Sequence, residues 1–238
     1  MSALKLDNVY YKYDKELVLR NVSFCVEKGS FFVLLGLNGA GKSTIFALLT
    51  RLLNLQEGEV FLNGSAISNY QEALADIGIV FQEPTLDLDL TVRQNLYYYG
   101  SLKGLSFKET LESIEDEIEK IDLDEKLDVI CRDLNGGHRR RVEILRSLIS
   151  KPKLLLLDEA TVGLDVKSRF EILEYIKDLV KTKGISVLWI THLFDEVEAD
   201  DSVAIIKQGR IIENSKVCDI LQKYETDSLD KAFKAITN

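Results

Sequence analysis

Residues 36–44 form the segment of this sequence whose chemistry is the easiest to infer. The segment reads GLNGAGKST, between an apolar run at residues 31–35 and a stretch with helical apolar spacing that begins at Lys42. Glycines allow backbone N–H groups to turn toward phosphate oxygens, and a helix N-terminus adds the positive end of its dipole. Lys42 would reach the β- and γ-phosphates of a nucleotide, and the Ser43 hydroxyl would ligate Mg²⁺. The predicted phosphate loop (P-loop) uses Gly36, Asn38, Gly39, Ala40, Gly41, Lys42, Ser43 and Thr44.

Two adjacent carboxylates, Asp158 and Glu159, follow a fully apolar run at residues 154–157. In open α/β sheets ligands bind at the carboxyl ends of the strands, where this pair would lie. Successive side chains at a strand end diverge, so Asp158 can face Mg²⁺ while Glu159 faces an attacking water. An Asp in this position is also typical of a helix N-cap. Beside a P-loop, we interpret the pair as a metal ligand and a base.

Three further side chains could act on a nucleotide at this site. His192 follows the apolar strand predicted at 186–190, and a neutral imidazole there could bond a γ-phosphate oxygen and hold the attacking water. Gln82 ends the strand predicted at 77–81, and its amide oxygen could reach Mg²⁺ or water. Tyr13 offers an aromatic face on which an adenine could stack. Each also has a plainer interpretation, as a structural histidine, a polar surface amide and a surface aromatic.

A second glycine-rich turn, Asn135-Gly136-Gly137-His138, precedes a predicted helix at 139–150. It is either a capped helix start followed by a solvated basic face, Arg139-Arg140-Arg141, or another anion site at a helix N-terminus. One nucleotide scarcely needs two phosphate loops from one chain. The second loop could therefore serve a nucleotide held by another subunit, and the residues alone leave both interpretations open.

Short apolar strands that alternate with long helices predict an α/β protein with a mostly parallel sheet covered by helices on both faces. We expect one domain over 1–238, in which 1–84 and 139–213 form the nucleotide-binding core. The start of the chain is β-rich, residues 85–138 form a helical insert, and 214–238 form a short helical tail. Within the insert, apolar residues at 107, 111, 114, 118 and 121 predict one amphipathic helix.

Composition narrows the class of protein. The 238 residues include 30 Lys and Arg against 39 Asp and Glu, a net charge of −9, which disfavours a role in coating nucleic acid. The three cysteines, Cys25, Cys131 and Cys218, form no CxxC pair, which favours a reducing cytosol. No apolar stretch reaches the length of a membrane span, so we expect any membrane role to be peripheral.

In order and spacing, these elements resemble the ATP-binding cassette (ABC) ATPases, the nucleotide-binding subunits of ABC transporters, from about residue 4 to 215. The matching segments are the P-loop, a Q-loop at Gln82 in IGIVFQEP, the signature-like LNGGH, LLLLDEAT, a D-loop VGLD ending at Asp165, and an H-loop at His192. The resemblance implies an ABC-type core with an N-terminal antiparallel β region and a helical insert.

The same resemblance implies roles that the residues alone do not reveal. Two copies would pair head to tail, so that each ATP lies between one P-loop and the partner's signature loop, Asn135, Gly136 and Gly137. Glu159 would polarise the water, His192 would contact the γ-phosphate, and Tyr13 would stack on adenine. Asp165 would touch the partner, and Gln82 with the insert would sense a membrane permease that holds the chain at the cytoplasmic face.

The sequence departs from the family pattern at a few positions. Asn135 and His138 replace the serine and glutamine of the usual LSGGQ, Ala160 replaces a proline, and Val162 replaces a serine. These changes put the turnover rate in doubt more than nucleotide binding. NGAGKST and VGLD are most similar to export-type systems with a separate permease. Two alternatives stay open: a non-transport cassette, for example of the Fe–S cluster assembly type, and a nucleotide-gated module with impaired hydrolysis.

Overall fold

The computed structural model describes residues 2–237, which form two sheets and several helical layers. The strands in chain order are β1 (Ser2–Tyr13), β2 (Glu16–Glu27), β3 (Phe31–Leu35), β4 (Glu57–Leu62), β5 (Ser65–Ala66), β6 (Ile77–Val80), β7 (Leu154–Asp158), β8 (Ser186–Thr191), β9 (Ser202–Lys207) and β10 (Arg210–Lys216). The central sheet has the order β10-β9-β3-β8-β7-β6, parallel except for β10, and the second sheet, β2-β1-β4-β5, is antiparallel.

The helices divide between the core and the insert. They are α1 (Lys42–Leu49), α2 (Tyr70–Ala73), α3 (Val92–Leu102), α4 (Phe107–Glu112), α5 (Glu115–Lys120), α6 (Gly136–Leu148), α7 (Val166–Lys183), α8 (Val217–Lys223) and α9 (Leu229–Thr237). Single 3₁₀ turns occur at Asp124–Lys126, Cys131–Asp133 and Phe194–Glu196. Across residues 2–237, none of the helices combines the length and the apolar character that a membrane crossing requires.

Both faces of the central sheet are buried, because alternate side chains of each strand enter opposite cores. On β8, Val187 and Trp189 pack with the apolar residues of α6, α7 and the insert, whereas Leu188 and Ile190 pack with α1 and the antiparallel sheet. Strands β3 and β7 alternate in the same way. This arrangement confirms the predicted α/β fold with helices on both faces and an antiparallel N-terminal region.

The prediction of one continuous amphipathic helix over 107–121 is wrong. The structure has α4 and α5, separated at Ser113 and Ile114. The Ser113 hydroxyl donates to the carbonyl oxygen of Thr110 at 2.6 Å, and Ile114 N bonds the Leu111 carbonyl three residues back. The Glu117 N–H likewise bonds the Ile114 carbonyl three residues back, so the backbone bonds change from the four-residue to the three-residue pattern at this point, and α4 ends before α5 begins. The stripe still packs partly inward, since Ile114, Ile118 and Ile121 are buried while Phe107 is exposed.

The predicted boundary at 213 falls inside a strand. β10 runs from Arg210 to Lys216 and pairs with β9 through a tight turn, so the segment 214–216 belongs to the sheet. The segment RIIENSK is mostly polar, so it lacks the alternation of apolar and polar residues by which a strand is identified from sequence. Beyond the strand the structure has α8 and α9, and Leu229 and Phe233 of α9 are buried.

We predict that Gly209→Ala destabilises the fold far more than Gly64→Ala. Both glycines have positive φ, +74° and +91°, in two-residue hairpin turns, so each alanine carries a backbone penalty of about 1 kcal/mol. An added Cβ at Gly209 would also overlap the carbonyl oxygen of Val18, whereas nothing lies within 4 Å at Gly64. Urea unfolding should show an extra loss of about 2 kcal/mol for Gly209→Ala. Equal losses in the two variants would contradict the packing argument.

Candidate active site

The P-loop joins the end of β3 to the start of α1. Gly39 and Gly41 adopt φ of +78° and +111°, and an added Cβ at Gly36 would come within 2.6 Å of the Ile206 carbonyl oxygen. The first backbone N–H groups of α1 have no partner within the helix, as at any helix start. The Lys42 ammonium donates to the carbonyl oxygens of Gly36 at 2.8 Å and Leu37 at 3.3 Å. The loop therefore curls around a buried cation, while Ser43 is exposed at its rim.

Glu159 follows β7 in a left-handed conformation, with φ of +46°, which is unfavourable by about 1 kcal/mol for a residue with a side chain. Its side chain is buried and lies among three of the predicted residues. Oε1 is 3.0 Å from His192 Nδ1 and 3.3 Å from Lys42 Nζ, and Oε2 accepts from Gln82 Nε2 at 3.2 Å. One carboxylate thus joins the P-loop to the ends of β6 and β8.

Asp158 is the least satisfied polar group of the site. It is buried, and its Oδ1 has no hydrogen-bond partner. Burial and, to a smaller extent, the neighbouring Glu159 carboxylate raise the pKa of this carboxyl to about 6, and Lys42 opposes the shift. An unpartnered buried carboxylate oxygen beside a phosphate loop fits a Mg²⁺ ligand, because Mg²⁺ is usually held by one or two carboxylates together with substrate phosphates. The N-cap alternative is not supported by Oδ1, which no donor within residues 2–237 bonds.

The second glycine-rich turn lies beside the D-loop. Asn135 caps α6, with its Oδ1 accepting from His138 N at 2.8 Å. An added Cβ would meet the Leu164 side chain at 3.4 Å from Gly136 and the Ser168 hydroxyl at 2.7 Å from Gly137. Asp165 is exposed and caps α7 through Ser168, at 3.0 Å to its N and 2.7 Å to its Oγ. Asn135, Gly136 and Asp165 thus form a second, exposed group of predicted residues, whereas Gly137 is buried.

The idea of a solvated basic face after this turn is wrong for two of its three arginines. Arg140 and Arg141 are buried. Arg140 donates to the carbonyl oxygens of Phe81 at 2.7 Å and Gln82 at 2.8 Å, and it pairs with Glu143 at 2.7 Å. Burial and ion pairing of this kind require inward orientation along α6, which a run of three charged residues does not reveal.

Glu143 completes a clamp on the Q-loop, residues 81–85. Its Oε1 accepts from Thr85 N at 2.6 Å and from Thr85 Oγ1 at 3.1 Å, and Arg146 donates to the Thr85 carbonyl at 3.0 Å. The helix that begins at the signature loop therefore holds the loop that carries Gln82. Sequence analysis missed this clamp because its members lie about sixty positions apart.

Tyr13 lies outside the Glu159 cluster, at the turn of the β1–β2 hairpin. It is 45% exposed, and its ring contacts Tyr11 edge to face at 5.0 Å. The same hairpin approaches the P-loop at Leu19, whose Cδ2 would lie 2.9 Å from a Cβ added at Gly41. Tyr13 therefore has an available face on an element that touches the phosphate loop.

Comparison with known proteins gives a consistent result. The family model for "ABC transporter" matches residues 19–162. The chain is 35% identical to the linearmycin resistance ATP-binding protein LnrL of Bacillus subtilis (strain 168), over 95% of this chain and 73% of that protein. It is 37% identical to Nod factor export ATP-binding protein I of Neorhizobium galegae, over 88% and 61%.

Importer subunits and solved structures also match. The Fe(3+) ions import ATP-binding protein FbpC of Fusobacterium nucleatum subsp. nucleatum is 31% identical, over 92% of this chain and 60% of that protein. A solved structure of an ATP binding subunit of an ABC transporter superposes with a TM-score of 0.87 at 26% identity, covering 100% of both chains.

We predict that Asp158→Asn stabilises the nucleotide-free chain near neutral pH. A carboxyl whose folded pKa, about 6, exceeds its ordinary value of 3.8 favours the fold fully below 3.8 and loses that contribution as the pH rises through 6. At about pH 7.5 the variant should therefore gain roughly 1–3 kcal/mol in urea unfolding, and the gain should vanish near pH 4.

The exposed carboxylate of Asp200 provides the control for this experiment. Asp200→Asn should change stability little at either pH. If Asp158→Asn were instead less stable than wild type near pH 7.5, the Asp158 charge would be satisfied in the folded chain, and its suitability for a cation would lose its physical basis.

Proposed function

This chain belongs to the ABC transporter family, as an ATP-binding subunit whose ATP hydrolysis is coupled to transport. We propose that it hydrolyses Mg-ATP between two copies arranged head to tail. We further propose that this hydrolysis drives export through a separate membrane permease. The observation that carries this proposal is the contact of Glu159 with Lys42, Gln82 and His192 beside the P-loop. We assign 1–84 and 139–213 to the nucleotide-binding core of a single ATPase domain, with 85–138 as its insert.

Glu159 is the proposed base in hydrolysis. It accepts a proton from water as the water oxygen attacks the γ-phosphorus and the bond from that phosphorus to the β–γ bridging oxygen breaks. Its ion pair with Lys42, at 3.3 Å, must loosen when ATP offers phosphate oxygens to the ammonium. That exchange frees a carboxylate oxygen for the water. His192, at 3.0 Å, holds the carboxylate in place and extends toward the γ-phosphate.

The remaining groups of the site bind and orient the nucleotide. Gly36–Thr44 would hold the phosphates, and Tyr13 would stack on the adenine through its exposed face. Asp158, Ser43 and Gln82 would hold Mg²⁺, which neutralises the charge that develops on the phosphate oxygens. The unpartnered Oδ1 of Asp158 supports this assignment.

Two head-to-tail copies would use the second exposed group of residues. Gly136 packs against Leu164 and Gly137 against Ser168, beside Asp165. The exposed residues Asn135, Gly136 and Asp165 therefore lie on one surface. In the proposed dimer this surface faces the partner's P-loop, and each ATP is enclosed by both copies. The side-chain carbonyl oxygen of Asn135 accepts the capping bond of α6, so its side-chain NH₂ group is free to donate to a phosphate oxygen.

An apolar surface on the insert is the proposed contact with the permease. Tyr98 and Leu102 lie one turn apart on α3 and are 63% and 66% exposed, and Phe107, 65% exposed, stacks on Tyr97 with centroids 4.5 Å apart. α3 begins at Val92, a few residues after the Q-loop, and Arg146 links the two, since it donates to the Thr85 carbonyl and lies 5.5 Å over the ring of Tyr99. Docking there would hold the ATPase at the cytoplasmic face of the membrane. The higher identity to the Nod factor export and linearmycin resistance proteins than to the importer supports export.

We predict that Glu159→Gln abolishes turnover and traps a dimer that holds ATP. The amide cannot accept the proton from water, so phosphate release should fall by at least about 100-fold while ATP binding persists. Phosphate release and light scattering of the purified chain with Mg-ATP measure the two effects. Glu57→Gln, the same change at an exposed position of β4 outside the site, is the control and should hydrolyse like wild type.

Two outcomes would count against the proposal. Unchanged turnover in Glu159→Gln would remove Glu159 as the base. A wild-type chain that forms ATP-dependent dimers but releases no phosphate, alone or with membranes, would favour the alternative of a nucleotide-gated module whose Asn135 and His138 have weakened hydrolysis.

We predict that the double change Tyr98→Ser and Leu102→Ser separates permease coupling from hydrolysis. The basal ATPase rate of the purified chain should stay within about 2-fold, because neither residue contacts the P-loop or the Glu159 cluster. Association with inverted membrane vesicles from source cells should fall by about 10-fold, as expected when apolar contacts are lost from an interface. Leu17→Ser, on the hairpin, is the matched control and should still bind. Normal binding of the double variant would place the permease contact elsewhere.

A further inference from the structure

Glu196 is a buried carboxylate that the proposed reaction does not use. It lies in the 3₁₀ turn Phe194–Glu196 and is only 2% exposed. Its Oε2 accepts from Trp189 Nε1 at 3.0 Å and from Thr191 Oγ1 at 2.6 Å, and its Oε1 accepts from Thr161 Oγ1. A buried carboxylate is tolerated only where donors satisfy it, and here three donors converge on one group.

The donors come from the two segments that carry the proposed catalytic pair. Thr161 is two residues beyond Glu159, and Thr191 is the residue immediately before His192. The Thr191 hydroxyl also accepts from Leu193 N at 3.0 Å, so its bonds span His192 on both sides. Glu196 therefore connects the turn after β7 to the end of β8, next to the residues Glu159 and His192.

The hydrogen bond from Thr161 to Glu196 holds the turn after β7, which contains an unfavourable backbone conformation. Glu159 occupies a left-handed conformation that the surroundings must maintain. The Val162 N–H bonds the Glu159 carbonyl at 3.2 Å, and the Leu164 N–H bonds the Thr161 carbonyl at 3.2 Å, so a fixed Thr161 fixes the turn on both sides. A charge-assisted bond from Thr161 to a buried carboxylate is a strong anchor for such a turn.

We propose that Glu196 is a positioning residue that sets the geometry between Glu159 and His192, and between Glu159 and the D-loop, through its bonds to Thr161, Trp189 and Thr191. This inference rests on the proposed roles of Glu159 and His192. Glu196 itself touches neither the P-loop nor the carboxylate of Glu159. Its loss should therefore lower kcat while the KM for ATP changes little, because the phosphate-binding residues keep their places.

Two substitutions of Glu196 separate position from mere stability. Glu196→Gln retains an oxygen for the Trp189 and Thr191 donors, and its NH₂ group can donate to a reversed Thr161 hydroxyl. Glu196→Ala removes the whole connection. We expect kcat to fall about 10- to 100-fold in Glu196→Ala and within about 3-fold in Glu196→Gln, with KM for ATP within about 3-fold in both. Glu198→Gln, an exposed carboxylate two residues on, is the control and should match wild type.

The only tryptophan of the chain gives a direct readout of the connection. Trp189 is fully buried and donates its indole N–H to Glu196, so Glu196→Ala should shift its emission maximum, and Glu196→Gln should shift it less. If Glu196→Ala fails to fold, Thr161→Val removes a single donor and should lower kcat by at least about 5-fold.

Hydrogen exchange tests the same inference without turnover. In the nucleotide-free chain, Glu196→Ala or Thr161→Val should speed amide exchange in both 159–165 and 191–196, whereas Glu198→Gln should change neither segment. Unchanged kcat and unchanged exchange in a folded Glu196→Ala variant would overturn the proposal. Wild-type turnover in Glu159→Gln would instead overturn the assigned base, and the exchange result would still report whether Glu196 ties the two segments.

Discussion

The carboxylate of Glu159 is the interaction on which the rest of the site depends. Its three partners come from the P-loop and from the ends of β6 and β8, and they meet because the parallel strands end at the same level. Val80 pairs with Leu157, Asp158 with Ile190, and Leu35 with Thr191. A shift of one residue in any of these registers would turn a side chain of the site into the core. The chemistry is thus set by strand registry.

The two cores around the central sheet make this registry stable. Alternate apolar side chains of β3, β7 and β8 are buried on opposite faces, so both layers must be disrupted before a strand can slip. Such a scaffold can hold several unfavourable local features at its edge. They include the left-handed backbone of Glu159, the unpartnered oxygen of Asp158 and the buried ammonium of Lys42. A bound cation would satisfy the oxygen of Asp158, and the phosphates of a nucleotide would satisfy the ammonium of Lys42.

The sequence predicts the P-loop, the strand-end carboxylates and the edge positions of Gln82 and His192, because each follows an apolar run with a clear period. It fails where contacts join distant segments without a local pattern. From the sequence, Arg140 and Glu143 are interpreted as part of a charged surface, whereas in the structure they are buried and Glu143 bonds Thr85. Glu196 likewise cannot be distinguished by sequence from the other acidic residues of its polar segment, although it is buried. The break between α4 and α5 is missed for a different reason, since the apolar period continues unchanged across Ile114, where the backbone bonds change from four residues to three.

The clamp between α6 and the Q-loop makes the Q-loop and the start of α6 a single rigid unit. α6 starts at the capped turn of Asn135, and within its first two turns Arg140 and Glu143 grip the backbone of residues 81–85. At 1.5 Å of rise per residue, about 7 to 12 Å separate the cap at Asn135 from Arg140 and Glu143, a distance over which an α-helix is stiff. We therefore expect a displacement of the Q-loop to move Gly136 and Gly137 with it. α6 is thus a short rigid element that connects the Q-loop, held by Arg140 and Glu143, with the exposed turn at Asn135.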